Sequence, residues 1–198
     1  MEVRTIELAH PRHGHFDLGT GYHGDVWLDL DALFLRPSVL RPDVKVLADR
    51  LRQHRVDAVC GPMEGGAFLA YALAELMGVA FLPAYRVPAS DAAATTGYRL
   101  TQTGGDGEGI GGWLVAIADD AVNAGTAVRA CARQLLEHGA LPVAVAALLA
   151  VGPARQVVPA ALSVPFYAVD TVQSQAWRPE DCPLCGDGIP LTDPSAQG

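Results

Sequence analysis

Two adjacent carboxylates, Asp119 and Asp120, follow an apolar run from Trp113 to Ala118, and a loop containing Gly125 comes after them. The apolar run reads as a buried parallel strand. A helical pattern then extends from about Thr126 to His138. The backbone amides of Asn123, Ala124, Gly125, Thr126 and Ala127 would therefore line a loop and a helix N-terminus. There, free N–H groups and the helix dipole favour a phosphate. Carboxylates beside an anion seat need other work, which sugar hydroxyls or a cation accompanying the phosphate would supply. No Gly-Lys-Ser/Thr occurs, which excludes a nucleotide P-loop.

A second turn of similar build precedes this one. Val56 to Cys60 reads as a short strand, Gly61-Pro62-Met63-Glu64-Gly65-Gly66 follows, and Ala67 to Met77 is a helix. Taken alone, the glycines make a tight turn; one strand–helix–strand unit before Asp119, they supply a second set of helix N-terminal amides. The strand Val79–Pro83 leads to Arg86. Residues 88 to 112 then lose apolar periodicity, with six glycines between Gly104 and Gly112, and read as a mobile segment. Arg99 is its one cation.

The remaining elements form a frame around these turns. Val26 to Asp31 alternates like a half-buried strand, Ser38 to Arg55 is an amphipathic helix, and Pro142–Val151 and Val164–Val169 are further strands. At 198 residues, half of them hydrophobic, the chain suits one domain with a sizeable core. A net charge of −8 argues against nucleic acid or an anionic membrane as partner. Lys45 is the only lysine, so anion chemistry falls to arginines and amides. The N-terminus lacks the apolar core of a signal peptide and no run is long enough to span a bilayer, so a cytoplasmic location is expected.

Two further groups could bind metal. His10, His13, His15 and His23 crowd together near the N-terminus, but none are paired at helical i, i+4 spacing, and they read as loop histidines. Cys182-Pro-Leu-Cys185-Gly has the form of half a zinc knuckle. Two readings stand: a tail turn docked through Trp177 and Leu184, or half a zinc site completed by histidines or by a second subunit. From Leu191 onward the chain reads as a frayed terminus. Cys60 and Cys131 fall inside apolar patterns and read as buried thiols.

The stretch from Asp119 to Ala127 resembles the PRPP-binding loop of type I phosphoribosyltransferases, most closely the orotate phosphoribosyltransferases. The resemblance runs from about Gly14 to Val151. It implies an α/β fold with a central, mostly parallel sheet flanked by helices and a small hood. Residues 1–35 and the flap 87–112 would form the hood of one domain spanning 1–198, with a Cys-x-x-Cys tail over 177–198. It implies transfer of 5-phosphoribosyl from PRPP to a base with Mg²⁺, and a homodimer. Asp119 and Asp120 would bind the ribose hydroxyls, and residues 123–127 the 5′-phosphate. Pro62, Met63, Glu64, Gly65, Gly66 and Arg86 would meet the pyrophosphate. Phe16, Tyr22 and Trp27 could stack on the base. Several positions depart from the family. Gly19 stands where many members have a substrate-binding Lys, and Trp27 where one of a Phe pair sits. The flap lacks its Lys and His, so Arg99 is the candidate replacement. The nearest candidate for the Arg that grips the orotate carboxylate is Arg155, with Pro153 in register at that position. These departures keep a second reading open: a non-catalytic PRPP- or nucleotide-binding regulator.

Overall fold

A computed structural model describes residues 4–19, 21–87, 97–100 and 109–194. Six strands form the main sheet: β3 (Ala58–Pro62), β4 (Ala80–Val87), β5 (Gly97–Leu100), β6 (Leu114–Val122), β7 (Leu141–Val151) and β8 (Phe166–Val172). Their order is β5-β4-β3-β6-β7-β8. All neighbours are parallel except β4 and β5, which form an antiparallel edge. From β3 the chain builds one way to β4 and β5, then returns to lay β6, β7 and β8 on the other side. The strand order thus reverses between β3 and β6, where ligands of open α/β sheets bind, beyond the carboxyl ends.

The central strands carry apolar residues on both faces because helices cover both. In β6, Ala116 and Ala118 join the cluster under helices α2 (Pro37–Leu51) and α3 (Gly65–Met77). Val115 and Ile117 join the opposite cluster under α4 (Thr126–Glu137) and α5 (Ala154–Leu162). Alanine is the commonest residue of β6 and β7, and every one of these alanines but Ala121 is fully buried. Cys60 and Cys131 are buried free thiols in the second cluster, as expected.

A small antiparallel sheet forms the hood: β1 (Arg12–Asp17), β2 (His23–Trp27) and β9 (Ala176–Trp177), in that order. Short helices α1 (Thr5–Leu8) and α6 (Pro183–Gly186) lie at the two ends of the chain.

Three expectations change. The strand does not stop before the acids: β6 runs through Asp119 and Asp120 to Val122, paired with β7 all the way. The segment after Val87 contains β5, paired with β4, and its Tyr98 and Leu100 are buried in the cluster under α4. The rest of the expected flap, 88–96 and 101–108, lies outside the described residues. The tail is not frayed at Leu191, because Thr192 bridges Phe16 and exchanges backbone bonds with Asp17 (3.0 Å) and His15 (2.8 Å).

Candidate active site

The two Gly-bearing turns converge where β3 and β6 end. Beyond β3, the Met63 amide donates to Ala84 O of β4 at 2.8 Å, which pins the turn to the sheet. Helix α3 then begins at Gly65 against the carboxylates. A Cβ on Gly65 would stand 1.7 Å from Asp120 Oδ2, and one on Gly66 would stand 2.5 Å from Asp119 Oδ1. Only glycine admits the acids this close. Gly61 serves the same packing one turn down, where a Cβ would meet Ala70 Cβ at 2.6 Å. The Gly-Pro-x-x-Gly-Gly turn is therefore the seat of the acids as well as a set of helix N-terminal amides.

Asp119 and Asp120 are 7% and 9% exposed. Asp119 Oδ1 accepts from the Asp120 amide at 3.1 Å, and Asp120 Oδ1 from the Ala121 amide at 2.7 Å. Burial raises both carboxyls above the ordinary range, and the charge of Asp120 raises Asp119 further. The positive end of the α3 dipole opposes part of that cost. The outcome is a pair of desolvated acceptors at a sheet terminus, suited to hydroxyl donors.

A cation and a phenol flank the turn. Arg86 of β4 bonds Glu64 Oε1 at 3.2 Å. Tyr98 of β5 is opposite Arg86, and residues directly opposed in an antiparallel pair share a face. Burial, then the carboxylates of Glu64 and Asp119, push the Tyr98 phenol up to about 12, so it stays a neutral donor. Arg99 is opposite Tyr85 and exposed, on the other face of the β4–β5 ribbon from Arg86. It is a strand residue rather than part of an aperiodic segment.

The loop after β6 turns at Gly125, which takes φ 71° before α4 starts. A Cβ there would lie 3.1 Å from Val158 of α5. Arg129, one turn into α4, folds back over the loop: its Nη1 donates to Ala124 O, and its Nη2 lies 3.4 Å from Thr126 Oγ1. Asn123, Ala124, Gly125, Thr126 and Ala127 thus form a loop and helix N-terminus with a guanidinium drawn over them.

A cleft of 580 Å³ opens between this end of the sheet and the hood. Gly19 and Trp27 line it from the hood, Ala121 and Asn123 from β6 and its loop, and Ser174, Asp193 and Pro194 from the C-terminal part. The guanidinium of Arg12 sits 4.5 Å from the Trp27 ring centroid, a cation–π contact that steadies that wall. Ser174 is held by Asp25 of β2, whose Oδ1 accepts from Ser174 Oγ at 3.1 Å and from the Gln175 amide at 2.8 Å.

Of the three aromatic candidates, the cleft takes Trp27 alone. Phe16 is buried within the hood, and Tyr22 is exposed outside the lining. Arg155 also turns away: its Nε donates to Thr171 Oγ1 at 2.8 Å, and its Nη2 lies 3.4 Å from Ala168 O, both on β8. Cys182 and Cys185 pack on the hood strands and do not line the cleft. Sequence reasoning missed Tyr98, Arg129, Ser174 and the tail residues. The apolar alternation of Tyr98 and Leu100 was a usable signal for β5. Arg129 shares the face of α4 that starts at Thr126, three residues earlier. Nothing local marked Ser174, Asp193 or Pro194.

A central sheet of this order, with acids and a phosphate-type loop at its switch point, is the arrangement of type I phosphoribosyltransferases. The solved orotate phosphoribosyltransferase of Aeropyrum pernix superposes with TM-score 0.64 at 21% identity, over 83% of this chain and 89% of that one. An adenine phosphoribosyltransferase from Thermoanaerobacter pseudethanolicus superposes at 0.58, with 19% identity over 74% and 88%. In sequence, the orotate phosphoribosyltransferase of Wolinella succinogenes is 30% identical over 196 residues, 93% of this chain and 91% of the relative. That of Thermotoga maritima is 30% identical over 188 residues, with the same coverage. No family model matches the chain. The chain belongs to the orotate phosphoribosyltransferase family.

Proposed function

We propose that the chain transfers the 5-phosphoribosyl group of PRPP to a nitrogenous base. The C1–O bond to pyrophosphate breaks, a ring nitrogen of the base bonds to C1, and the base gives up the proton on that nitrogen. The carrying observation is the convergence of both turns on Asp119 and Asp120 at the switch point. As C1 loses its leaving group the sugar becomes cationic and the pyrophosphate gains charge. The site must therefore hold the sugar still and meet the departing anion with donors already in place.

Asp119 and Asp120 accept from the ribose hydroxyls. The amides of residues 123–127, with Arg129 over them, take the 5′-phosphate. The turn Pro62 to Gly66, with Arg86, takes the pyrophosphate. Arg99 is a second cation for that anion, and its position on the far face of the β4–β5 ribbon suits a neighbouring copy better than its own site. A homodimer would bring such a copy, and exposed Leu35, Phe68 and Tyr71 give it apolar surface. The base enters the cleft beside Trp27. Mg²⁺ fits a mouth whose anionic side chains, Glu64, Asp119 and Asp120, offer only oxygen. It would arrive with PRPP and supply charge neutralisation to the pyrophosphate. Pyrimidine nucleotide formation in the cytoplasm accords with this reaction.

The test is turnover of PRPP and Mg²⁺ with orotate and a panel of other pyrimidine and purine bases, followed by pyrophosphate release. Arg155 held on β8, and no Lys or His between Val87 and Gly112, favour a second reading: a PRPP-binding regulator. Calorimetric PRPP binding with every base inert would select it. Failure to bind PRPP would reject both.

A further inference from the structure

Four side chains meet at the hood that the phosphoribosyl chemistry does not use. They are His15 of β1, His23 of β2, and Cys182 and Cys185 flanking and within α6. One nitrogen or sulfur from each lies within 4.8 Å of all the others. His15 Nε2 is 3.1 Å from His23 Nδ1, 3.4 Å from Cys182 Sγ and 3.7 Å from Cys185 Sγ. Cys185 Sγ is 3.3 Å from His23 Nδ1.

Hydrogen bonds alone do not account for this convergence. His15 Nδ1 lies 2.8 Å from the carbonyl of Ile189. A carbonyl only accepts, so Nδ1 carries the proton and Nε2 presents a bare lone pair. One lone pair cannot serve three neighbours at once. A cation at their centre serves all four. An N–H to backbone carbonyl bond is also the usual way a ligating imidazole is oriented. The spacing has the right scale. With about 2.3 Å to sulfur and about 2.0–2.1 Å to nitrogen, tetrahedral zinc separates its ligands by about 3.3 Å (N to N), 3.6 Å (N to S) and 3.8 Å (S to S).

The geometry points to a structural zinc site of two histidines and two cysteines, closed by four ligands of this one chain. Two thiolates with two imidazoles in a tetrahedron suit zinc over magnesium or calcium, and leave no open position for a substrate. Two of the ligands, His15 and Cys182, are buried, at 2% and 5% exposed. The purpose follows from topology. A three-stranded sheet whose β9 has two residues cannot bury a core of its own. The metal ties β1 and β2 to the tail. Those strands and that tail carry Gly19, Trp27, Asp193 and Pro194 to the cleft. The site therefore fixes the base-side wall without touching the reaction.

The experiment is metal analysis of the full-length protein, purified in reductant without chelator, then incubated with zinc and desalted. About one zinc per chain is expected. His23→Ala and Cys185→Ser, the two less buried positions, should each fall below about 0.2 equivalents while keeping the far-ultraviolet spectrum of the folded body. Cobalt in place of zinc should show the visible bands of tetrahedral thiolate coordination. Chelation of the wild type should lower its melting temperature, and zinc should restore it. Less than about 0.2 zinc in the reduced, reconstituted wild type would overturn the site, as would full zinc retention in both variants.

Discussion

The body that carries the acids and the hood that lines most of the cleft are built in opposite ways; the body meets the cleft at Ala121, Asn123 and Val151, next to the acids rather than at them. The body wall is made of strand ends inside a six-stranded sheet. Its acids sit on β6, locked to β3 and β7, and its turns are held by backbone pairing and by glycines that nothing else can replace. The hood wall is three short strands joined to a returning tail. Beyond its short strand pairing and the backbone bonds of Thr192, its order rests on side chains: Asp25 on Ser174, Arg12 over Trp27, and the His–Cys cluster. A site that must hold a charged sugar phosphate needs the rigid wall. In the proposed reaction, recognition of the base would fall to a wall that side-chain substitution can reshape without disturbing the sheet.

If that division is right, damage to the two walls should separate cleanly in kinetics. The largest effect belongs to the acids. Asp119→Asn combined with Asp120→Asn should weaken PRPP binding by about 2–4 kcal/mol, since each lost charge-assisted bond costs roughly 1.5–3 kcal/mol. Calorimetry with PRPP and Mg²⁺ measures this. Unchanged affinity would remove the acids from the ribose and break the comparison at its firmer side.

The next effect tests the seat rather than the acids. Gly65→Ala puts a methyl where Asp120 Oδ2 now lies, at 1.7 Å. The carboxylate must move by about an ångström, and displacement on that scale costs roughly 10²-fold in turnover. We expect kcat/KM to fall by about that factor. A variant with wild-type turnover would mean that the glycine only shapes the turn.

The body wall was legible in sequence because its signals are local. An apolar run followed by Asp119-Asp120 and Gly125, or a strand followed by Gly-Pro-x-x-Gly-Gly, dictates its own backbone. Even there the strand end was misplaced: β7 pairs with Asp119 and with Ala121, and no local signal reports a neighbour's length. The hood was poorly legible because its partners are far apart in the chain. His15 and Cys182 stand 167 residues apart, and His15 and Ile189 174. The histidines read as loop residues because their spacing matched no helix, whereas two paired antiparallel strands bring His15 and His23 together across β1 and β2. Arg155 shows the same limit in reverse: it is the arginine nearest in sequence to the register position held by Pro153, while Thr171 holds it on β8.

A smaller effect belongs to the hood. Trp27→Ala should raise KM for the base about ten-fold, as expected for losing roughly 1–2 kcal/mol of aromatic contact. PRPP affinity should stay within about two-fold. Arg155→Ala should change neither by more than about three-fold. Equal losses for base and PRPP in Trp27→Ala would show that the walls act as one body, contrary to the division drawn above.

The smallest effect concerns stability, and its sign is opposite to the effect on binding. Burial holds the Asp119 carboxyl above its ordinary range in the folded chain. Between the unfolded value, about 3.9, and that raised value, the folded state binds more protons than the unfolded one. Stability contributed by this group is therefore present at low pH and is lost as pH climbs through the raised value. Once pH passes that raised value, the folded chain carries a buried charge without a cationic partner among the bonds Asp119 makes. Asp119→Asn removes that charge, and its amide oxygen can still accept from the Asp120 amide. In ligand-free protein the variant should melt higher than wild type at pH 8, by about 2–4 °C for each kcal/mol recovered, and the gain should shrink toward pH 4. Melting curves across that range check it. A gain that is equal at both ends would place its cause in packing rather than in the charge. A loss at pH 8 would mean that the carboxylate is compensated in the free protein, and that the body wall is not strained in readiness for its ligand.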